Sequence, residues 1–294
     1  MTERLAEIEA RIHGTQQLGA VVNAMRGMAA ARAQQARDQL TAVESYAAAI
    51  ADAIGSALEL VPATGMAMPP ATAGRALVLF GAEQGFAGAY SERILDAAGA
   101  QLPHAQLFLI GTHGLTATAE RGLHPVWTDA MPTHTQGIPK LADRIVEALY
   151  ARMSAHAIER LEVVFSRWHP AHPIQVESRR LLPLDSSIFP HRTRRAAPLV
   201  NLAPVELLQE LIADYLHAQL CDAALHAFAA ENQARMETMT AAHQQIDRQL
   251  TSLQAIQRQV RQEAITEEII ELAAGETASR AADQDAAMRR LPRP

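Results

Sequence analysis

The alternation of apolar and polar positions divides the chain into three parts. Residues 1–60 contain no proline, and Leu5, Ile8, Ile12, Leu18, Val22, Met25 and Met28 recur at spacings of three and four. Thr15 is the polar member of the same stripe. This predicts a helix with one narrow apolar seam, close to the 3.5-residue repeat of a coiled coil. Gly14, Gly19 and Gly27 each weaken such a helix by roughly 1 kcal/mol relative to alanine, but small residues also let a partner helix come close. The stretch VPATGMAMPPATAG, Val61 to Gly74, ends the pattern with three prolines.

From about 75 to 200 the period changes. ALVLF (76–80), LFLIG (107–111) and LEVVF (161–165) are short apolar runs that predict buried strands. IQVESRRLL (174–182) alternates and predicts a further strand at an edge of the sheet. Helical segments fall between them, near 87–100 and 138–158. Strand, helix, strand, helix, strand specifies an α/β layer domain, Rossmann-like in outline, with a partly parallel sheet. The loop PLDSSIFPHRTRRAAP closes it.

The third part is long and unbroken. From Val205 to Ala274 there is neither proline nor glycine, enough for a single helix of about 105 Å. Leu225, Ala229, Met236, Met239, Ile246, Leu250, Leu253, Ile256 and Val260 keep the three-four spacing, and the stripe then shifts to Ile265, Ile269 and Leu272. Gly275 is the expected stop. A separate short helix at 205–220 packed on the middle domain is the alternative. Two helices with narrow seams, at opposite ends of one chain, pair most economically as an antiparallel coiled coil projecting from the domain between them. The expected organisation is an N-terminal coiled-coil helix at 1–60, an α/β domain at 75–200, a C-terminal partner helix at 205–275 and an extension at 276–294.

Composition supports this. Of 294 residues, 49% are apolar but only 4% aromatic, which suits long helices better than a β-sandwich. The net charge of −6 and pI near 6.1 argue against nucleic acid as a partner. One cysteine, Cys221, excludes an internal disulfide. No run of 18 apolar residues is present and the N-terminus lacks a signal-peptide core, so a soluble cytoplasmic protein is expected.

Candidate chemistry is sparse. After the first strand, GAEQGFAGAY places Gly81, Gly85 and Gly88 in a turn whose amides suit a phosphate. The spacing is not G-x-G-x-x-G, and no Gly-Lys-Ser/Thr follows; a tight strand-to-helix turn is the plainer reading. His169 and His172 lack the further ligands a zinc site needs. Cys221 reads as a small core residue. The basic cluster HRTRRAAP (191–198) reads as a solvated loop. No HExxH, no GxSxG and no framed carboxylate pair occurs, so neither a cofactor nor a metal is expected.

The residues do resemble one family closely. Glu231, Ala234, Arg235, Met236 and Met239, followed by Arg261, Gln262, Ile265, Thr266, Glu268, Ile269, Glu271, Leu272 and Gly275, resemble the C-terminal motif of the gamma subunit of rotary, F-type ATP synthase. At the other end Ile8, Arg11 and Ile12, then Ala24, Met25 and Met28 to Arg32, resemble its N-terminal motif. QGFAGAY (84–90) and LLPLD (181–185) fit more thinly. Arg32 replaces the family lysine, Val22 a threonine, Ala87 a cysteine and Arg258 an asparagine, which marks a divergent bacterial member.

The resemblance implies a central rotor stalk, present in one copy. Its partners would be three alpha and three beta subunits, the epsilon subunit and the membrane c-ring, at the cytoplasmic face of the inner membrane. It implies coupling of proton or sodium flow to ATP synthesis or hydrolysis in the beta subunits, and hence no catalytic residue in this chain. Met25, Arg32, Arg235, Gln262, Thr266 and Glu268 correspond to coupling or rotor-contact positions. Two readings from other classes remain at this point: a coiled-coil scaffold with an α/β head, and a nucleotide-binding α/β enzyme using the Gly81–Gly88 turn.

Overall fold

The computed structural model describes residues 2–61, 74–154, 158–169, 173–189 and 199–289. The proline-rich stretch 62–73, His172 and the HRTRRAAP loop lie outside the described residues. The chain divides into two compact units, one formed by Met25–Met239 and the other by Met1–Ala24 with Thr240–Pro294. Two helices contribute to both: α1, Thr2–Leu58, and α5, Pro204–Arg289. The described α5 is one helix, with neither a separate element at 205–220 nor a stop at Gly275. A Cβ at Gly275 would meet nothing within 4 Å, so this glycine sits in open helix and takes no capping conformation.

In the unit Met25–Met239 a five-stranded sheet has the order β3-β2-β1-β4-β5. Its strands are β1 (Arg75–Phe80), β2 (Gln106–Ile110), β3 (Trp127–Asp129), β4 (Arg160–Arg167) and β5 (Gln175–Leu182). The pairs β1–β2, β2–β3 and β1–β4 are parallel, and β5 lies antiparallel on β4 at the edge. β1 is buried on both faces, as a central parallel strand must be. Ala76, Val78 and Phe80 point into a core with Phe108, Ile110, Val163, Phe165, the helix α4 (Ile138–Ser154) and residues 216–229 of α5. Leu77 and Leu79 point the other way, to α2 (Tyr90–Ala98) and α3 (Gly114–Glu120). Each buried Val, Leu, Ile or Phe among them contributes about 1.5–3 kcal/mol. β3 and α3 escape the sequence pattern because three and seven residues carry too little periodicity.

The other unit is an antiparallel pair of helix segments. Glu9 accepts a hydrogen bond from Gln257 and lies 3.5 Å from Arg261, while Gly19 sits against Ile246. The seam on α1 runs Leu5, Ile8, Ile12, Thr15, Gly19, Val22. It passes through Gly19 and leaves Leu18 exposed. Apolarity favoured leucine at that step, but a Cβ at Gly19 would approach the Ile246 methyl to 3.3 Å, so close contact selects the residue without one. On α5 the seam is Ile246, Leu250, Leu253, Gln257, Val260 and Ala264, with Ile256 outside it. The register brings the start of α1 level with Ala264, and among the described residues no partner helix lies beyond. Ile265, Ile269, Ile270 and Leu272 are therefore 52–69% exposed. The shifted stripe through Ile265, Ile269 and Leu272 forms no seam among the described residues.

The turns after β1 and β2 nest against each other. Gly111 has φ +102, and a Cβ there would lie 2.5 Å from the Gly81 carbonyl oxygen. Gly111→Ala is expected to lower stability by at least about 2 kcal/mol, through strain plus the backbone clash, as read from urea unfolding.

Candidate functional site

The Gly81–Gly88 turn is where the nucleotide reading would have to hold. The amides of its first half, Gly81 to Gln84, are already bound within the chain. The Glu83 and Gln84 N–H groups donate to the two carboxylate oxygens of Glu231 on α5, each at 3.1 Å. Arg235, one helical turn on, donates to the same carboxylate. Its guanidinium also donates to the Gly85 carbonyl at 3.2 Å, the Gln84 carbonyl at 3.4 Å and the Asn232 side-chain oxygen at 3.0 Å. Asn232 in turn donates to the Phe228 carbonyl, and the Tyr90 hydroxyl to the Ala227 carbonyl. A protein carboxylate thus holds the place a phosphate would take in the turn, and α5 covers it.

Glu83 extends the lock across the sheet. Its carboxylate accepts from the Thr112 N–H and hydroxyl and from the Met131 N–H, so it ties together the ends of β1, β2 and β3. Burial pushes the Glu231 carboxyl above the usual range, against the opposing pull of Arg235 and the two amides. Both Glu231 and Arg235 are almost fully buried. The Cys221 thiol, on the same helix, is pushed up to about 12 by burial first and by nearby carboxylates second, so it stays protonated and inert.

A second polar cluster lies between α1, β4, β5 and α5 in the same unit. Arg179 donates to Asp222 at 2.8 Å and to Gln219 at 2.6 Å, and pairs with Glu177 at 2.8 Å. Arg167 pairs with Glu177 at 2.9 Å. His226 stacks on Phe165, and burial above all pushes its imidazole down to about 4, so the ring is neutral.

The residues singled out by sequence fall into two groups. In the unit Met25–Met239, Met25 and Arg32 are half-buried on α1, and Arg235 is buried in the lock just described. Met25 and Arg32 are not among the partners of the Arg235 guanidinium. In the other unit, Gln262, Thr266 and Glu268 are exposed. The Thr266 hydroxyl donates to the Gln262 carbonyl at 2.9 Å, and Gln262 and Thr266 line a shallow groove with Gln259, Glu263, Glu267 and Ile270. Sequence reasoning quoted Glu231 only as part of a motif, with no site role, and passed over Glu83. The available signal for Glu231 was its spacing of four from Arg235 on a face otherwise rich in alanine.

Comparison with known proteins fits this architecture. A family profile described as ATP synthase matches residues 4–278. The chain belongs to the ATP synthase family, as a gamma chain. The ATP synthase gamma chain of Clavibacter michiganensis subsp. michiganensis is 24% identical over 281 residues, covering 90% of this chain and 94% of that one. That of Chlorobium luteolum is 26% identical over 285 residues, covering 92% and 97%. The fold is also that of a chain in the rotor of the Euglena gracilis mitochondrial ATP synthase, with a TM-score of 0.62, 12% identity, and coverage of 90% of this chain and 100% of that one. A chain of the Tetrahymena thermophila central stalk and c-ring assembly gives a TM-score of 0.56 at 16% identity, covering 76% and 99%.

The lock has a testable energetic signature. Arg235→Ala leaves the Glu231 carboxylate buried without its cation, and is expected to cost about 3–5 kcal/mol in urea unfolding. Adding Glu231→Gln to that variant should recover part of the loss, which a double-mutant cycle would read directly.

Proposed function

We propose that this gamma chain is the central rotor stalk of an F-type ATP synthase. It links proton or sodium flow through a membrane ring to ATP synthesis or hydrolysis in the beta subunits. The observation that carries the reading is the end of α5. Past the paired seam it presents Gln262, Thr266 and Glu268 in the open together with exposed Ile265, Ile269, Ile270 and Leu272. Large apolar side chains exposed in one stretch of helix call for an enclosing partner. In this reading the partner is a ring of three alpha and three beta subunits, with the epsilon subunit and the c-ring as the other contacts. Among the described residues no helix is long and apolar enough to cross a membrane, which suits a peripheral subunit held at the cytoplasmic face of a bacterial inner membrane.

The physics of such a part is transmission. The chemistry resides in the beta subunits, and this chain contributes differential contacts that favour one state of each beta site over another as the stalk turns. In this scheme Arg235 works inside the chain: with Glu231 it fixes α5 to the β1 turn, so the helix and the sheet turn together. Gln262, Thr266 and Glu268 are the side chains that meet the ring. Met25 and Arg32 set the neighbouring face of α1. The nucleotide-binding alternative is disfavoured because the Glu231 carboxylate already occupies the Glu83 and Gln84 amides of the turn.

Co-expression with the alpha and beta subunits of the same organism tests the assignment. The expected product is a single complex with one copy of this chain per three alpha–beta pairs, with ATPase activity that requires it. Folded subunits that fail to assemble with it would return the chain to a coiled-coil scaffold. Within the assembled enzyme, Gln262→Ala combined with Thr266→Ala should retain ATP turnover but lose most of the ions moved per ATP. The isolated variant should melt like the wild type. Normal ion transport at normal turnover would remove these two residues from the contact set.

A further inference from the structure

The cluster between α1, β4, β5 and α5 contains four atoms that the surrounding chain leaves unsatisfied, the Arg167 Nε and three on His226 and Asp222. His226 is 3% exposed and Asp222 4%, yet both ring nitrogens of His226 and the Oδ1 of Asp222 have no hydrogen-bond partner among the described residues. Unpaired polar atoms at that depth are costly and call for a ligand. The three atoms do not satisfy one another: His226 Nε2 lies 3.7 Å from Asp222 Oδ1, beyond hydrogen-bond range. A third donor faces the same point, since Glu44 Oε1 on α1 lies 3.9 Å from His226 Nε2. One ligand atom from each of the three residues falls within 4.8 Å of the others.

We propose that Glu44, Asp222 and His226 form a binding site for a divalent first-row metal ion, with Zn2+ the best match. One imidazole nitrogen and two carboxylate oxygens are a ligand set that zinc accepts, with bonds of about 2.0–2.2 Å and a fourth position for water. Ligand atoms around such an ion stand about 3.3–3.5 Å apart, so the observed separations close by only a few tenths of an ångström at His226. Glu44 is half exposed, and its flexible side chain supplies the remaining movement and the opening for water. Asp222 is held in place from outside: its other oxygen, Oδ2, accepts from Arg179 at 2.8 Å.

Charge separates a metal from a trapped water. Glu44, Glu177 and Asp222 face two guanidiniums, those of Arg167 and Arg179, which leaves the carboxylates one negative charge in excess beside His226. Water would satisfy the hydrogen-bonding atoms and leave that excess charge, shared with half-exposed Glu44, unanswered. A cation answers both. A monovalent ion would answer the charge but is a poor partner for imidazole nitrogen. The bound ion would fasten α1 to α5 beside the edge strand, within the unit Met25–Met239, and would not touch the Glu231–Arg235 lock.

The test uses the purified full-length chain, stripped with a chelator and then titrated with Co2+ followed by visible absorption and with Zn2+ in equilibrium dialysis. The expected result is one tight site per chain with a tetrahedral cobalt spectrum, and a melting temperature that rises with Zn2+. His226→Gln and Glu44→Gln should each weaken binding at least tenfold, whereas His113→Gln, at an exposed position, should not change it. With 12 histidines in the chain, surface binding is separated from this site by that comparison. Should His226→Gln fail to fold, Glu44→Gln carries the test, since its side chain is half in solvent. A wild-type chain that takes up no ion, or one whose uptake is the same in both site variants, overturns the proposal.

Discussion

A carboxylate taken fully out of water costs several kcal/mol unless its oxygens are filled and its charge is balanced. Glu231 is such a group, and its surroundings answer both demands. Two amides of the β1 turn fill one side, and Arg235 supplies the charge. The consequence is positional. The pair works only when α5 stands at one rotation and one height relative to the turn, because the Arg235 guanidinium must at the same time reach the Gln84 and Gly85 carbonyls. Glu83 then carries the constraint sideways to β2 and β3. The end of the sheet where an open α/β fold usually receives its ligand is here spent on holding a helix.

That choice explains why the same sheet order supports a different use. The glycine-rich turn survives as geometry, with Gly111 at φ +102 letting the turn after β2 meet Gly81 and Ala82. The amides of Gly81 to Gln84, however, are satisfied from within the chain. An α/β layer normally contributes a binding crevice; this one contributes a seat for α5. Function moves from the crevice to the helices, as a family of rotor stalks requires.

Much of this was legible in the sequence, for physical reasons that differ by element. The four longer strands carry enough β-branched and aromatic residues in short runs to be read directly, and the alternation in IQVESRRLL placed β5 at an edge. The seam of the helix pair was legible to within one position. It failed at Leu18 because periodicity counts apolar atoms, whereas close packing at Ile246 rewards their absence at Gly19. It failed again past Ala264 because a stripe on one helix says nothing about where its partner ends. The stop expected at Gly275 failed because glycine lowers helix propensity by only about 1 kcal/mol, which a long flanking helix absorbs. Glu231 was quoted within a motif, but its amide partners in the β1 turn are more than 140 residues away in sequence, and no local pattern reports them.

The alanine content gives the polar contacts their weight. On α5, Ala218, Ala223, Ala224, Ala227, Ala229, Ala230 and Ala234 are all buried. Such a face packs closely, but it is smooth, and small side chains make weak ridges for fixing the rotation of one helix on its neighbours. Apolar burial here supplies cohesion and little azimuthal preference. The preference comes from directional groups: Glu231 and Arg235 at the turn, Arg179 to Asp222 at the edge strand, and Arg37, stacked on Trp168, donating to Gln233 across the helix pair. Each removes freedom that the alanines leave. A helix that must hand rotation to its surroundings without slipping needs both properties, close packing for stiffness and a few buried polar anchors for phase. In this chain the two are divided cleanly between residue types.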